Sequence, residues 1–270
     1  MDSVQLPSSV AKNREFIFFT DFDGTITIDD TTVFLIDNYG MGRERRMKLD
    51  QDVLDGRIHF RNAFREMMDS VALPFETCIE VLIQNIQIDP GFQDFYAWAR
   101  ESGVPIVVLS SGVEPIIRAL LNKLLGSKWD IQIVANTIEP RDGESTQHKN
   151  GWKMQFRDES VHGHDKSLAI RKYSSLQDSL ISFYAGDGIS DLSAARETDL
   201  LFAKTGKSAS MMCPIPFVTD INNQHADLVH YCQKENVPFV PFSNWSNITK
   251  ICKDIVAGKT SIQEVLQSPV

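Results

Sequence analysis

The fold of this chain is predicted from one stretch, Glu15-Phe-Ile-Phe-Phe-Thr20, which is followed at once by Asp21-Phe-Asp-Gly-Thr-Ile-Thr27. Its first half is a short apolar run rich in β-forming residues, typical of a strand buried on both faces of a parallel sheet. Its second half places two carboxylates, Asp21 and Asp23, on a glycine-containing turn directly after that strand. Because parallel α/β sheets bind ligands at the carboxyl ends of their strands, the stretch predicts a buried strand that carries an acidic site.

Similar apolar runs predict further strands, at residues 105–109, 131–135, 180–185 and 199–203. Apolar residues spaced i, i+3, i+4 and i+7 predict amphipathic helices, at residues 92–99, 117–124 and 248–255. Buried strands that alternate with amphipathic helices indicate an α/β protein with a doubly wound parallel sheet.

Residues 31–87 break this alternation, because they show helical apolar patterns and no strand. We therefore expect a small all-helical cap inserted after the first strand. Its predicted bounds are residues 31–89, and the predicted core comprises residues 1–30 and 90–270. The turn Asp89-Pro-Gly91 is the predicted return hinge.

Two polar stretches stand apart from this pattern. Residues 137–158 contain the turn signals Asp142-Gly and Asn150-Gly, which predict an exposed hairpin. Residues 1–14 are predicted to form a loosely ordered leader, and they lack the apolar centre of a signal peptide. No window approaches the ~20 apolar residues that a membrane span needs. These features predict a cytosolic protein, with the nucleus as a second location.

The charge balance restricts the partners. A formal net charge of −9 and a pI of about 5.2 argue against nucleic acid or an anionic membrane surface as the main partner. A phosphorylated substrate would instead need a local cationic site. The four cysteines, at positions 78, 213, 232 and 252, form no CxxC pair. We interpret them as buried thiols in a reducing compartment, with disulfides or a metal site as the alternatives. The sequence predicts no oligomeric state.

Asp21 and Asp23 carry the strongest chemical signal. Two carboxylates at i and i+2 on a tight turn can point at one spot, where the first can attack phosphorus and the second can transfer protons. Gly24 lets the backbone approach a phosphate closely. The alternative interpretation is an Asp-rich turn that caps the following helix.

Two further strand ends carry candidate ligand groups. After the run at residues 105–109, Ser110 and Ser111 can hydrogen-bond a phosphoryl oxygen, helped by amides at the start of the next helix. After the run at residues 180–185, Asp187 offers the hard oxygen ligand that Mg²⁺ requires. The respective alternatives are an ordinary helix cap and a solvated acidic turn.

Lys166 opens a predicted helix and would supply a fixed positive charge. A lysine at a helix start is usually solvated, so this interpretation depends on its place among the other motifs. The nearby His162 and His164 are interpreted as surface residues rather than metal ligands. Lys204-Thr-Gly-Lys-Ser208 ends like a phosphate-binding P-loop, but Leu201 stands where that motif needs glycine, so we set it aside.

In their order along the chain, these motifs resemble the four motifs of the haloacid dehalogenase (HAD) superfamily. The helical insertion after the first motif resembles the phosphoserine phosphatase-like branch, whose cap occupies that position. The resemblance implies a phosphatase that forms an aspartyl-phosphate and binds Mg²⁺. It implies these roles: Asp21 as nucleophile, Asp23 as general acid and base, Asp21, the Asp23 carbonyl and Asp187 as Mg²⁺ ligands, Ser110 and Lys166 as phosphoryl-binding groups, and Asp191 as support for Lys166 or a metal-bound water.

Substrate choice is expected to depend on the cap. The acidic residue that contacts the amino acid in phosphoserine phosphatases matches Asp30, and the cap arginine falls near Arg65 or Glu66. The TITIDD pattern and the helix that starts Gly-Phe-Gln-Asp-Phe look closer to two other groups. These are the methionine-salvage phosphatases of 2-hydroxy-3-keto-5-methylthiopentenyl-1-phosphate and their relatives that act on sugar or polyol phosphates. We therefore expect a small phosphorylated substrate, sugar- or polyol-like, with phosphoserine or the methionine-salvage metabolite as alternatives.

Other functional classes remain open. One is a phosphotransferase that shares the aspartyl-phosphate, and another is a non-catalytic ligand-binding member. The intact acid and base pair argues against the second class. Dehalogenase activity is not expected, because Asp23 and the metal carboxylates serve phosphate chemistry.

Overall fold

The computed structural model describes these parts of the chain: residues 15–175, 179–205 and 228–267. The predicted leader at residues 1–14, Cys213 and residues 206–208 of the P-loop-like stretch lie outside the described residues. The described cysteines are buried free thiols: Cys78, Cys232 and Cys252. Within the described ranges, every helix is too short or too polar to cross a membrane.

A seven-stranded sheet forms the centre of the described structure. Its strands are β1 (Phe16–Thr20), β2 (Ile106–Val113), β3 (Gln132–Pro140), β4 (Trp152–Gln155), β5 (Ile181–Gly186), β6 (Leu200–Lys204) and β7 (Val240–Phe242). They lie in the order β4-β3-β2-β1-β5-β6-β7, and only the β3–β4 pair is antiparallel. The carboxyl end of β1 is therefore at the middle of the sheet edge, between the ends of β2 and β5.

Helices occupy the segment between β1 and β2 and cover both faces of the sheet. Those of the insertion are α1 (Thr31–Tyr39), α2 (Arg43–Leu54), α3 (Phe60–Asp69) and α4 (Phe75–Asn85). The described helices after it are α5 (Gly91–Ser102), α6 (Glu114–Leu125), α7 (Lys166–Ser174), α8 (Leu192–Ala195), α9 (Leu228–Glu235), α10 (Trp245–Val256) and α11 (Ile262–Gln267). The predicted α/β class, with a doubly wound sheet and an all-helical cap after the first strand, is confirmed.

The central strand β1 is buried on both faces, as its apolar run predicts. Phe18 packs in the layer that contains α5, α6 and α10, where its ring lies 4.6 Å from the ring of Phe95 between centroids. Ile17 and Phe19 face the opposite layer, which contains α7, α8 and α9. Because successive side chains of a strand point to opposite faces, both layers hold β1 and fix the position of Asp21 at its end.

The hairpin formed by β3 and β4 corrects one prediction. The sequence predicts an exposed hairpin, but Trp152 and Met154 of β4 are buried. The Trp152 ring lies 5.4 Å from the ring of Phe75, and its Nε1 donates a hydrogen bond to the Leu73 carbonyl at 2.9 Å. Alternate residues of a strand share one face, and this face of β4 packs on the cap helices. The hairpin therefore attaches the cap to the sheet.

Candidate active site

Asp21 and Asp23 lie directly after the central strand. Asp21 is 6% exposed, and its Oδ1 accepts a hydrogen bond from the Phe22 amide at 2.7 Å. The Asp21 amide donates to the Ala185 carbonyl of β5 at 2.8 Å. Asp23 Oδ1 accepts a hydrogen bond from the Thr31 amide, at the start of α1, at 2.8 Å. The first carboxylate is thus fixed by the sheet, and the second is bound to the first cap helix.

Gly24 and Thr25 shape the turn behind these carboxylates. Gly24 has a φ of +73°, a conformation that glycine adopts without strain, and its amide donates to Thr27 Oγ1 at 3.0 Å. Thr25 is fully buried, and its Oγ1 donates to Asp187 Oδ1 at 3.2 Å. The turn after β1 is therefore tied to the end of β5.

Lys166 is fully buried at the first position of α7, so the solvated interpretation of this lysine is wrong. Its Nζ lies 3.0 Å from Asp21 Oδ1 and 2.7 Å from Asp191 Oδ1. Burial alone would lower the pKa of Lys166, but Asp191 and Asp21 raise it above its usual value. The ammonium group therefore stays charged beside Asp21.

Asp191 has both carboxylate oxygens in use. The donors are Lys166 Nζ and the Tyr184 hydroxyl at Oδ1, at 2.7 and 2.5 Å, and the amides of Asp187 and Gly188 at Oδ2, both at 3.0 Å. A side chain at Gly186 would place its Cβ 2.5 Å from the Asp191 carboxylate, so this glycine leaves the space that Asp191 fills. The arrangement suits Asp191 for orienting Lys166 more than for binding a metal ion.

The site collects an excess of negative charge. One carboxylate oxygen each of Asp21, Asp187 and Asp191 lie within 4.8 Å of one another. Asp23 adds a fourth carboxylate to the site, and of the four Lys166 contacts Asp21 and Asp191. Burial raises the pKa of Asp21 well above its usual value; Lys166 opposes this rise, and the other three carboxylates add to it. A divalent cation would offset the excess, and carboxylate oxygens are ligands that Mg²⁺ prefers. Because the oxygens of Asp191 are occupied, Asp21 and Asp187 are the side chains that could hold such an ion.

The environment of Asp23 suits proton transfer. Burial raises the pKa of Asp23 to about 7, Asp30 adds to the rise, and hydrogen bonds from Thr31 oppose it. A carboxyl group with a pKa near neutrality can both give and take a proton. A Cβ at Gly112 would lie 2.6 Å from Asp23 Oδ2, so the backbone of β2 at Gly112 comes very close to this carboxylate.

Ser110 belongs to strand β2, which is longer than predicted, and lies near Asp23. The strand does not end at Leu109, as the sequence predicts, but continues to Val113 with a register shift against β3. The buried Ser110 Oγ accepts a hydrogen bond from the Gly112 amide at 2.9 Å. The irregular stretch from Ser110 to Val113 therefore supplies the backbone amides near Ser110, because the next helix begins only at Glu114.

Asn136 and His164 form hydrogen bonds to the backbone of this irregular stretch. The Ser111 carbonyl accepts a hydrogen bond from Asn136 Nδ2 at 2.7 Å, and its buried Oγ has no partner among the described residues. His164 is buried, which corrects its predicted surface position, whereas His162 is exposed as predicted. His164 Nδ1 lies 2.9 Å from the Ser110 carbonyl oxygen, so this nitrogen carries the proton and donates. Burial lowers the pKa of His164 to about 4, so the ring is neutral.

The two residues expected to select the substrate have other contacts. Asp30 is the N-cap of α1, and its side chain accepts hydrogen bonds from the amides of Thr32 and Val33. Arg65 is exposed, and its guanidinium lies 5.1 Å from the centre of the Phe156 ring. Within the described residues, Arg65 forms no ion pair with the acidic cluster.

Several residues shape the site in ways that the sequence motifs do not indicate: Thr25, Thr31, Gly112, Tyr184, Gly186 and His164. Gly112 and Gly186 stand inside the motifs, but their closeness to a carboxylate emerges only from packing. Thr31 contributes a backbone amide, which any residue except proline would supply, so no residue pattern could indicate it.

Comparisons with known proteins identify the family of this chain. The sequence model of the family described as "HAD: haloacid dehalogenase-like hydrolase" matches residues 18–196. The chain is 40% identical over 262 residues to the "Polyol phosphate phosphatase PYP1" of Saccharomyces cerevisiae, covering 93% of this chain and 98% of the relative. It is 26% identical over 236 residues to a 2-hydroxy-3-keto-5-methylthiopentenyl-1-phosphate phosphatase of Microcystis aeruginosa, covering 86% of this chain and 95% of the relative.

A solved structure shares the fold. The phosphoserine phosphatase from T. onnurineus, in complex with NDSB-201, superposes with a TM-score of 0.59 over 94% of this chain and 99% of its own. Its sequence identity of 14% limits this likeness to the fold. The family match covers more than half of the chain, and the yeast relative aligns along nearly its whole length. The resemblance inferred from the motifs is thereby confirmed: this chain belongs to the haloacid dehalogenase-like hydrolase family.

Proposed function

We propose that this protein is a Mg²⁺-dependent phosphatase that hydrolyses a small metabolite of the polyol or sugar phosphate class through a phosphoaspartate on Asp21. The observation that carries the proposal is the buried contact between Lys166 Nζ and Asp21 Oδ1, 3.0 Å long, at the end of the central strand. A preorganised positive charge at the ligand-binding edge of the sheet suits an anionic substrate. The phosphatase names of the relatives support the same reaction.

The two carboxylates of the first motif divide the chemistry between them. Asp21 attacks phosphorus, the bond from phosphorus to the leaving oxygen breaks, and Asp23 gives that oxygen its proton. A pKa of about 7 keeps much of Asp23 protonated near neutral pH. Asp23, now ionised, then takes a proton from a water molecule whose oxygen attacks phosphorus. The bond to Asp21 breaks, and phosphate leaves.

The remaining residues hold the phosphoryl group and its charge. Lys166, fixed by Asp191, faces the phosphoryl oxygens, while Ser110 and Ser111 donate hydrogen bonds to them. Mg²⁺ would be held by Asp21, Asp187 and the Asp23 main-chain carbonyl, and when bound it neutralises charge on the phosphoryl oxygens. Gly24 allows the backbone to approach the phosphate.

The charges on the cap side of the site favour hydroxyl groups over a carboxylate in the substrate. Asp30 lies near enough to Asp23 to raise its pKa. Arg46 of α2 is already paired with Asp37 and Asp50, at 2.7 and 2.8 Å. Carboxylates accept hydrogen bonds from hydroxyls, whereas the carboxylate of phosphoserine needs a cation. We therefore propose Asp30 as a hydroxyl-binding residue. A role for Arg65 in substrate selection stays a prediction.

The division of labour within the chain is part of the proposal. The core would comprise residues 1–30 and 90–270, and the cap, residues 31–89, would control access to the site. An isolated bridge between Thr27 and Ile88 joins the two connections at the base of the cap, which supports bounds close to these. The cytosol and the nucleus stay predicted locations.

Phosphate release from a panel of phosphomonoesters tests the proposal. The panel contains polyol phosphates, sugar phosphates and phosphoserine, each with Mg²⁺ and again with EDTA. We expect the highest kcat/KM for a polyol or sugar phosphate and no release in EDTA. Folded protein that hydrolyses no ester with Mg²⁺ present would contradict the hydrolase. Formation of a new phosphoester with an added alcohol, without free phosphate, would identify a phosphotransferase.

A further inference from the structure

The C-terminal elements reach the catalytic loop from beyond residue 196, where the family match ends. The carbonyl of Thr25, in the turn that follows Asp21, accepts two hydrogen bonds from these elements. Trp245 Nε1, at the start of α10, donates at 3.0 Å, and Lys204 Nζ, at the end of β6, donates at 3.1 Å. A carbonyl oxygen has two lone pairs, so the two donors saturate this acceptor.

Thr25 passes this restraint to the acidic site. Its backbone carbonyl is held by Trp245 and Lys204, and its side-chain hydroxyl donates to Asp187 Oδ1 at 3.2 Å. Thr25 is fully buried and Asp187 nearly so. A buried threonine that is hydrogen-bonded through its carbonyl and its hydroxyl has little freedom to rotate, so its hydroxyl stays directed at Asp187.

The start of α10 is itself firmly seated. The Asp89 carboxylate accepts hydrogen bonds from the amides of Trp245 and Gly91, at 3.3 and 2.9 Å, and the Asp89 amide donates to the Ile26 carbonyl at 2.9 Å. A Cβ at Gly91 would lie 3.1 Å from the Ser246 amide nitrogen, so glycine allows this close approach. Asp89 thereby joins the catalytic loop, α5 and α10 at the predicted return hinge.

The indole of Trp245 is closely packed among aromatic rings. It is fully buried, and its ring lies 4.7 Å from Phe92, 4.8 Å from Phe95 and 5.8 Å from Phe18 between centroids. Packing alone would require only an aromatic ring at this position. The N–H group aimed at the Thr25 carbonyl is the feature that packing does not explain.

We propose that Trp245 is a positioning residue for the metal side of the active site, acting on Asp187 through Thr25, with Lys204 as the second donor. The inference rests on the proposed function, in which Asp187 binds Mg²⁺. The C-terminal segment thus contributes to the affinity for the ion without touching it. A net hydrogen bond corresponds to about a fivefold change in an equilibrium constant, and this sets the size of the expected effect.

The test is Trp245→Phe, which keeps an aromatic ring in the cluster and deletes the N–H group. Trp98→Phe is the matched control, because the Trp98 ring, one turn farther along α5, lies 5.5 Å from the same Phe95 ring between centroids. Calorimetric titration with Mg²⁺ gives the Kd directly, and phosphate release as a function of Mg²⁺ gives the activation constant and kcat. Trp245→Phe is expected to weaken Mg²⁺ binding about fivefold, with kcat at saturating Mg²⁺ within about twofold of wild type. Trp98→Phe is expected to leave the Mg²⁺ Kd unchanged.

A second variant checks the route through Thr25. Thr25→Val removes the hydroxyl with little change of shape, and the double variant with Trp245→Phe should weaken Mg²⁺ binding by less than the product of the single effects. Purely multiplicative effects, or a Trp245→Phe variant that loses thermal stability but keeps the wild-type Mg²⁺ Kd, would overturn the inference. A wild type that binds Mg²⁺ and releases no phosphate would instead contradict the proposed function, and the calorimetric comparison would still decide the role of Trp245.

Discussion

The acidic site at the end of β1 and the cap helix α2 are both rich in charge, but they hold their charges in opposite ways. In the site, Lys166 and Asp191 are fully buried and hydrogen-bonded to each other. In α2, which buries no residue, Arg45 pairs with Glu66 while their side chains stay 65% and 45% exposed. Burying a charge costs several kcal/mol unless it is fully partnered, whereas an exposed pair contributes at most about 1 kcal/mol. The charges of Lys166 and Asp191 are therefore stabilised by each other rather than by water, whereas those of Arg45 and Glu66 are stabilised mainly by water.

The largest expected effect comes from removing the nucleophile. Asp21→Asn keeps the shape of the side chain but cannot form the phosphoaspartate, so kcat/KM for phosphate release should fall by at least ~10⁴-fold. Asp52→Asn, the same change at an exposed ion pair in α2, should leave the rate within about twofold of wild type. Comparable losses in both variants would remove the distinction between the two regions.

The next effect concerns stability. Lys166→Met leaves the carboxylates of Asp191 and Asp21 buried without their cation, and the free energy of unfolding should fall by about 3 to 5 kcal/mol. Adding Asp191→Asn should recover part of this loss, because it removes one of the unpaired charges. Denaturant unfolding of the wild type and the two variants measures both changes. A loss below about 1 kcal/mol would place Lys166 with the exposed pairs.

A smaller, pH-dependent effect is expected at His164. Its pKa in the folded protein, about 4, lies below the usual 6.5, so the unfolded chain takes up the proton first as the pH falls. The stability that the neutral ring contributes is therefore present above about pH 6.5 and is lost as the pH falls towards 4. The slope is at most about 1.4 kcal/mol per pH unit.

The measurement for His164 is a difference between two proteins. His164→Asn retains a donor for the Ser110 carbonyl but has no group that titrates. Urea unfolding at several pH values should show a shallower decline of stability between pH 6.5 and 4 in the variant than in wild type. The subtraction cancels the opposite contribution of Asp23, whose raised pKa makes the folded state less stable as the pH rises from about 4 to about 7. Equal slopes in the two proteins would show that His164 takes up its proton as readily in the folded protein as in the unfolded chain.

The smallest effect is expected in α2. Arg45→Gln breaks the exposed pair with Glu66, and the free energy of unfolding should change by less than about 1 kcal/mol. Added salt should narrow this small difference between wild type and variant, because it screens exposed ion pairs. A larger loss would indicate that α2 depends on its ion pairs to stay attached to α1 and α3.

The sequence indicates what is local and cannot indicate what packing assembles. The apolar run before Asp21 predicts both the strand and the position of the acidic turn, because both depend on neighbouring residues. Burial of Lys166 could not be predicted, since it depends on Tyr184 and Asp191 from a different strand end. The burial of Trp152 could not be predicted either, because its strand has only four residues and lies among polar residues. The bond from Trp245 to Thr25 spans 220 residues, and no spacing in one sequence indicates it.

Asp21 is proposed to carry the phosphoryl group during turnover. Rapid mixing of the protein with Mg²⁺ and a polyol phosphate that it hydrolyses, followed by quenching and proteolysis, allows mass spectrometry of the peptide that contains Asp21. The predicted result is one phosphoryl group on Asp21 that appears in the first turnover and disappears once the substrate is consumed. Phosphate formed at the full rate with this peptide unmodified throughout, or with the phosphoryl group on another residue, would show that Asp21 is not the nucleophile.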